Sequence, residues 1–213
     1  MKRNQPCFGM YAICLSVLAA ALLLSGIAPH DRLTWWMEIA PILIVVPVLI
    51  QSRRSFPLTG LLYGLIAVHG IILAVGGHWT YAEVPAGRWL QEWLHTSRND
   101  YDKLGHLAQG FVPVIALREI LLRCGWPVRG GLGAAMLVLA ILGISAVYEL
   151  IEWQAAVGLG QGADAFLGSQ GDPWDTQKDM ACAGIGAVLA LLSLARIHDR
   201  QLAMPQGERA TGA

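Results

Sequence analysis

Residues 99–106 carry the densest charge in an otherwise apolar chain and lead directly into a hydrophobic segment. Within this stretch, Asp102 and His106 are four residues apart, so a helix places both side chains on one face in its first turn. A carboxylate and an imidazole at the edge of a hydrocarbon layer need a polar or charged partner. The alternative interpretation is an N-terminal cap followed by an interfacial histidine.

Acidic residues also mark the end of the fifth apolar segment and the approach to the sixth. Glu149 and Glu152 are three residues apart, and Asp172, Asp175 and Asp179 are separated by three and four. Like charges on one helical face repel unless a cation or protons lie among them. The helix dipole favours acids at an N-terminus, but it disfavours Glu149 and Glu152 at a C-terminus. The alternatives are a glutamate pair exposed to headgroup water and an ordinary solvated loop with a cap.

Together these side chains predict a polar site that could hold a divalent cation. The candidate ligands are Asp102, His106, Glu149, Glu152, Asp175 and Asp179. Carboxylate-rich ligands with one imidazole suit magnesium or manganese better than zinc. Such an ion could activate water for hydrolysis, with Glu149 or Glu152 as general base and His106 as a further candidate catalytic group.

Other polar residues lie near the same predicted edge of the membrane. Those expected to line the pocket are Glu38, His69, His78, Tyr81, Lys103, Tyr148 and Asp172. For His69 the alternative is a hydrogen-bonded core residue, and for Tyr81 it is an aromatic side chain at the membrane surface.

The composition indicates a membrane protein, because 55% of the 213 residues are hydrophobic and only 14% are charged. The predicted fold is an all-α polytopic membrane protein in which residues 1–213 form a single transmembrane domain. About six transmembrane helices are expected, over residues 8–27, 34–51, 58–76, 103–122, 131–152 and 178–197. Pro41 and Pro47 predict a kink in the second span. We interpret the first apolar run as a retained anchor, because it is longer than the core of a signal peptide.

Most lysines and arginines fall at the two termini and in the second and fourth connections. The positive-inside rule therefore predicts cytoplasmic termini and places the candidate site residues at the outer face of the membrane. At the inner ends of the spans, we expect Glu119 to pair with Arg123 and Arg118 to extend towards the cytoplasm.

The third connection contains a segment with interfacial character. Trp89, Leu90, Trp93 and Leu94 fall on one face of a helix, which predicts a short helix lying in the membrane interface. The fifth and sixth spans are rich in glycine and alanine, so we expect these two helices to pack closely.

The acidic motifs resemble those of the YjdF-type family of bacterial inner-membrane proteins and, more distantly, those of VanZ-like membrane proteins. The motifs that carry the resemblance are Tyr101-Asp102-Lys103-x-x-His106, Tyr148-Glu149-x-x-Glu152-Trp153 and Gly171-Asp172-x-x-Asp175-x-x-x-Asp179. The YjdF-type resemblance implies the architecture and the candidate residues without a reaction. The VanZ-like resemblance implies a role in the cell envelope.

The leading functional hypothesis is a metal-assisted hydrolase or a binder of envelope lipid headgroups, located in the bacterial inner membrane. The expected partners are membrane lipids and a lipid or lipid-linked envelope substrate. The alternatives are a proton-coupled transporter, in which His69, His106 and Glu149 relay protons, and a membrane-embedded accessory or interaction subunit. A net charge of zero gives no support for binding to nucleic acid. The four scattered cysteines indicate neither a disulfide framework nor a zinc site.

Overall fold

A computed structural model describes residues 8–159 and 169–204, and within these ranges all regular structure is helical. The first four helices are α1 (Phe8–Ser25), α2 (Arg32–Glu38), α3 (Ala40–Ser52) and α4 (Gly60–Trp79). They are followed by a 3₁₀ turn (Tyr81–Glu83), α5 (Pro85–Leu94), α6 (Tyr101–Arg123), α7 (Gly131–Leu159) and α8 (Asp175–Ala203). The predicted class, an all-α polytopic membrane protein, is confirmed.

Four of these helices, α4, α6, α7 and α8, are long and apolar enough to cross a membrane. The pair α2 and α3 passes the same test as one unit but is bent by 41°. Helix α1 is apolar and shorter. The bend lies at Ile39, because Pro41 occupies the first turn of α3 and cannot continue the hydrogen-bond ladder of α2. Pro47 lies inside α3.

The apolar core consists of two clusters. In the first, Leu18, Ile42 and Tyr63 bring α1, α3 and α4 together. In the second, apolar side chains of α4, α6, α7 and α8 pack around Ile115 and Leu137. In lipid, apolar surfaces are stabilised by close packing more than by exclusion of water. Space left unfilled between the two clusters therefore affects the stability of the bundle.

The closest helix packing in the described structure joins α6 and α8. A side chain at Gly110 would collide with the backbone of Ala183, and one at Gly186 would collide with the backbone of Leu107. The small residues of the last helix therefore serve mainly its contact with α6. Packing between α7 and α8, which the sequence predicts, also occurs, with Leu142 against Gly184. The contact between α6 and α8 sets the relative orientation of the two helix faces that carry the acidic residues.

Helix α5 has the amphipathic character predicted from the sequence. Trp89 and Trp93 are 73% and 76% exposed, and Leu90 and Leu94 lie beside them with about half of their surface exposed. Large apolar side chains with this exposure suit the headgroup boundary of a bilayer. The helix ends where His95 adopts a left-handed conformation.

A buried polar network connects helices at the end of the bundle that lies away from the 3₁₀ turn and α5. Glu119 is fully buried and accepts hydrogen bonds from the hydroxyl of Thr59, at 2.8 Å, and from Arg123, at 3.0 Å. The pairing of Glu119 with Arg123 agrees with the expectation from sequence. Because Thr59 also caps the N-terminus of α4, this network joins the start of α4 to the end of α6.

The expectation that Arg118 extends towards water is wrong. Arg118 is 4% exposed, and its guanidinium lies 2.8 Å from Nδ1 of His198 and 2.9 Å from Asp199. Nε2 of His198 lies 3.1 Å from Glu119, so the imidazole can accept from Arg118 and donate to Glu119. Arg118 stays inside because α8 supplies these partners, which lie about 80 positions away in sequence and are not apparent from local spacing.

Candidate functional site

The acidic residues predicted from the sequence converge around one lysine. Nζ of Lys103 lies 2.6 Å from Asp175, 2.7 Å from Asp179 and 3.3 Å from Asp102. Asp102 and Lys103 lie in the first turn of α6, and Asp175 and Asp179 are one turn apart at the start of α8. The close α6–α8 packing brings the two helix ends together, and the lysine offsets the repulsion among the three carboxylates.

A second cation completes this arrangement. Arg98 lies 2.6 Å from Asp175 and 3.3 Å from both Asp102 and Asp172. Burial by itself lowers the pKa of the Arg98 guanidinium, but the hydrogen bond and charge of Asp175 outweigh it, and the pKa lies above its usual value. Asp172 also pairs with Lys178 at 2.5 Å, and this contact lowers the pKa of the Asp172 carboxyl.

His106 links this group of charged side chains to Glu149 of α7. Its Nε2 lies 3.4 Å from Asp102, and its Nδ1 lies 3.0 Å from the side-chain oxygen of Gln109 and 3.7 Å from Oε1 of Glu149. The Glu149 side chain is 6% exposed, and its Oε1 has no hydrogen-bond partner among the described residues. A buried carboxylate oxygen without a partner is unusual and marks a place where a ligand could bind.

Three of the six predicted metal ligands form a compact group. Asp102, His106 and Asp179 offer donor atoms within 4.8 Å of one another. Glu149 approaches the same imidazole, whereas Asp175 is engaged by Arg98 and Lys103. Lys103 also contacts Asp102 and Asp179, so a metal ion would have to share these carboxylates with its ammonium group. Glu152 lies farther along α7, at the wall of a cavity.

A cavity of about 750 Å³ extends from this charged group along the bundle. Its polar end is formed by side chains from five elements. These side chains are Glu38, His69, Tyr81, Asp102, His106, Gln109, Tyr148 and Glu152. Beyond them the walls are almost entirely apolar as far as Phe56 and Cys124, near the opposite end of α6. We call this space the main cavity.

A smaller cavity of about 220 Å³ lies on the other side of Glu152. Its walls include Glu149, Glu152, Asp172 and Asp175, together with Ser169. Glu152 therefore borders both cavities, and Glu149 borders the smaller one. The two glutamates of α7, predicted from their spacing to act together, lie between the two spaces.

Tyr81 is held in the wall of the main cavity by local backbone geometry. Thr80 has a positive φ of 56°, which turns the chain sharply after α4. Gly76 and Gly105 leave the room that the Tyr81 ring fills, since a side chain at either position would collide with it. Burial raises the pKa of the Tyr81 phenol well above its usual value, so the hydroxyl is a neutral hydrogen-bonding group.

The loops around the charged group are fastened by Asn99. Its backbone exchanges hydrogen bonds with the Gln170 side chain, at 3.0 and 2.9 Å, and its side-chain amide donates to the carbonyls of Ala82 and Val84. Asn99 also accepts from the backbone of Tyr101 at the start of α6. These bonds hold Arg98 in place next to the first turns of α6 and α8.

Two predicted pocket residues lie apart from the charged group. His78 borders neither cavity, and its Nδ1 lies 2.9 Å from the carbonyl of Ser25, where it links the ends of α1 and α4. His69 borders the main cavity, but its Nε2 lacks a hydrogen-bond partner among the described residues. The alternative of a hydrogen-bonded core histidine therefore has no support at that atom.

Two residues of the site were not among the predicted site residues. Arg98 lies four positions before Asp102, a spacing typical of an ion pair. Gln109 lies three positions after His106, which is the spacing of neighbours on a helix face. Both signals are local and could have been found from the sequence.

The comparisons with known proteins agree with this architecture. A profile described as "Predicted membrane protein (DUF2238)" matches residues 10–200. The chain is 58% identical over 186 residues to "Inner membrane protein YjdF" of Escherichia coli (strain K12), which covers 87% of this chain and 88% of that protein. No solved structure matches at a significant level, and the distant VanZ-like resemblance has no support in these matches. The chain is thus a multi-pass inner-membrane protein and belongs to the family of predicted membrane proteins that carries the description DUF2238.

Proposed function

We propose that this inner-membrane protein binds an envelope lipid, with the headgroup at the polar end of the main cavity and a hydrocarbon chain along its apolar walls. The observation that carries the proposal is the continuity of one cavity from buried carboxylates and imidazoles to apolar side chains. Pockets that bind small molecules commonly have volumes of about 300–1,000 Å³, mostly apolar walls and a few polar groups that orient the ligand.

The polar end faces the periplasm if the termini are cytoplasmic, as the distribution of lysine and arginine predicts. The exposed tryptophans of α5 lie on the same side of the bundle as the charged group, because α5 leads through Asn99 into α6. A lipid headgroup would then reach the site from the outer leaflet.

Ala116 offers a position at which the cavity can be filled without a change of charge. It lies half-buried in α6 and borders the main cavity. We expect Ala116→Phe to displace a bound lipid, and the matched exchange Ala135→Phe, on the exposed face of α7, to leave it in place. The measurement is mass spectrometry of lipids that remain with the full-length protein after exchange into detergent.

The expected result is a defined lipid species with the unaltered protein and with Ala135→Phe, reduced at least tenfold with Ala116→Phe. If all three proteins carry the same lipids in the same amounts, those lipids surround the bundle rather than occupy the cavity, and the proposal fails. Equal melting temperatures of the two variants would show that Ala116→Phe has not simply unfolded the protein.

Metal-assisted hydrolysis is a second candidate, supported by the donor group Asp102, His106 and Asp179. Magnesium or manganese bound there could activate water, and the Glu149 carboxylate near His106 could act as general base. Replacing the competing ammonium in Lys103→Met should then strengthen metal binding. We expect its melting temperature to rise with millimolar magnesium or manganese and to fall after chelation. A Lys103→Met protein that binds no stoichiometric metal and melts unchanged would refute this candidate.

A further inference from the structure

The lining of the main cavity has a strong charge bias. Among the described residues that line it are three carboxylates, those of Glu38, Asp102 and Glu152, and neither a lysine nor an arginine. The two cations nearby, Arg98 and Lys103, border neither cavity and are engaged with Asp102, Asp175 and Asp179. A ligand at the polar end of the cavity therefore meets Asp102, whose charge these cations and His106 offset, and the carboxyl groups of Glu38 and Glu152, which form no ion pair among the described residues.

A second observation points in the same direction. Oε1 of Glu149, on a side chain that is 94% buried, has no hydrogen-bond partner among the described residues. Glu149 borders the smaller cavity, and this oxygen lies 3.7 Å from His106, which lines the main cavity. Glu152, one turn away, borders both cavities. Buried carboxylate oxygens need donors, and a ligand with several N–H groups would supply them.

Aromatic groups at the same end favour a cation over a neutral donor. Tyr81 and Tyr148 both border the cavity, and the Tyr148 ring packs edge-on to His106 with centroids 6.2 Å apart. The faces of tyrosine rings attract ammonium groups, most strongly where water is excluded. A phosphate at this position would instead face three carboxylates with no lysine or arginine in the lining.

The apolar part of the cavity is long. Its walls follow α6 from Val112 to Cys124, a distance of about 18 Å at the helical rise per residue. The hydrocarbon core of a bilayer is about 30 Å thick, so this length slightly exceeds one leaflet. Val48, Ile120 and Ile144, which border the cavity, are also exposed on the outside of the bundle, so the cavity is open on that side.

The geometry points to an amphiphile with an ammonium headgroup and at least one long hydrocarbon chain as the occupant of the main cavity. The ammonium group lies among Glu38, Asp102 and Glu152, and the chain lies between α3 and α6. This inference rests on the proposed lipid binding and adds the chemical class of the headgroup.

Three single-chain probes of equal length separate headgroup from chain: octadecylamine, octadecanol and octadecyl phosphate. Their binding to the full-length protein in maltoside detergent is measured by native mass spectrometry. We expect the amine to bind at least tenfold more tightly than the alcohol, and the phosphate to bind more weakly than either. In the double variant Glu38→Gln with Glu152→Gln, the preference for the amine should fall at least tenfold while binding of the alcohol is unchanged.

Controls distinguish the possible failures. Glu92→Gln, on the exposed surface of α5, removes one carboxylate elsewhere and should preserve the preference. Equal binding of amine and alcohol, or tightest binding of the phosphate, would refute the ammonium assignment and leave lipid binding intact. Absence of binding by all three probes, or equal binding by Ala116→Phe, would refute the lipid site itself. Circular dichroism and melting temperatures establish that each variant is folded.

Discussion

At the scale of single residues, the site is an arrangement of charges that compensate one another unevenly. Lys103 and Arg98 neutralise the side that faces α8, where Asp175 and Asp179 lie. On the side that faces the main cavity, the carboxylates have His106 and two tyrosines as neighbours. Burial of charge in a membrane protein is costly, and such residues usually mark a functional pathway or site.

Arg98 provides a test of how much this compensation contributes to stability. Its side chain is 10% exposed and contacts four aspartates. Breaking a buried ion pair by removing one partner costs roughly 3 kcal/mol or more, because the remaining charges stay buried. We therefore expect Arg98→Met to lower the melting temperature by several degrees.

The matched control is Arg88→Met, in α5. Arg88 also pairs with a carboxylate, that of Glu83, but both side chains are more than a third exposed. Exposed pairs contribute about 1 kcal/mol or less, so this variant should melt close to the unaltered protein. Equal melting of both variants would mean that the Arg98 cluster contributes no more than a surface pair.

At the scale of elements, the contact between α6 and α8 positions the site. It brings Asp102, Lys103 and His106 of one helix against Asp175 and Asp179 of the other. The contact depends on the absence of side chains at Gly110 and Gly186, which lets the two backbones approach. A change at the contact between α6 and α8 should therefore alter both the stability of the protein and its binding of lipid.

Gly110→Val tests this dependence. Its new side chain would meet the backbone of Ala183, whereas in Gly143→Val, on α7, the first added carbon would meet no atom within 4 Å. Both exchanges change glycine to valine inside a helix, so their effects on helix propensity are similar. Overpacking costs about 1–3 kcal/mol, and we expect only Gly110→Val to lower the melting temperature and weaken lipid binding. Equal melting temperatures and equal lipid binding in the two variants would show that the contact between α6 and α8 tolerates the added volume.

At the scale of the whole molecule, the helices were predictable because long apolar runs are the strongest signal in a membrane sequence. The ends of the helices were harder to predict: α7 extends to Leu159 and α8 begins at Asp175, each beyond the limits of the predicted apolar spans. Asp175 and Asp179, at the start of α8, are stabilised in the helix by ion pairs with Arg98 and Lys103. The spacing of the acidic residues predicts that they belong to the site, whereas the role of Lys103 depends on partners more than 70 positions away.

The two polar networks of the bundle lie far apart. One surrounds Lys103, and the other joins Glu119, Arg118 and His198 near the opposite membrane surface. Between them the lining of the main cavity is almost wholly apolar beyond His69 and Gln109. A proton relay across the membrane needs closely spaced polar groups, so this separation favours lipid binding over the proton-coupled transporter considered from the sequence.

Helix α3, which the bend at Ile39 sets at 41° to α2, forms part of the side from which a ligand would reach the site. The main cavity is bordered on one side by exposed residues of α3, α6 and α7, so it communicates with the bilayer and not only with water. Occupancy would then depend on the mole fraction of a ligand within the membrane plane. Confinement to a thin layer raises the local concentration of all lipids, so a minor lipid would fill the site only if it bound more tightly than the abundant ones.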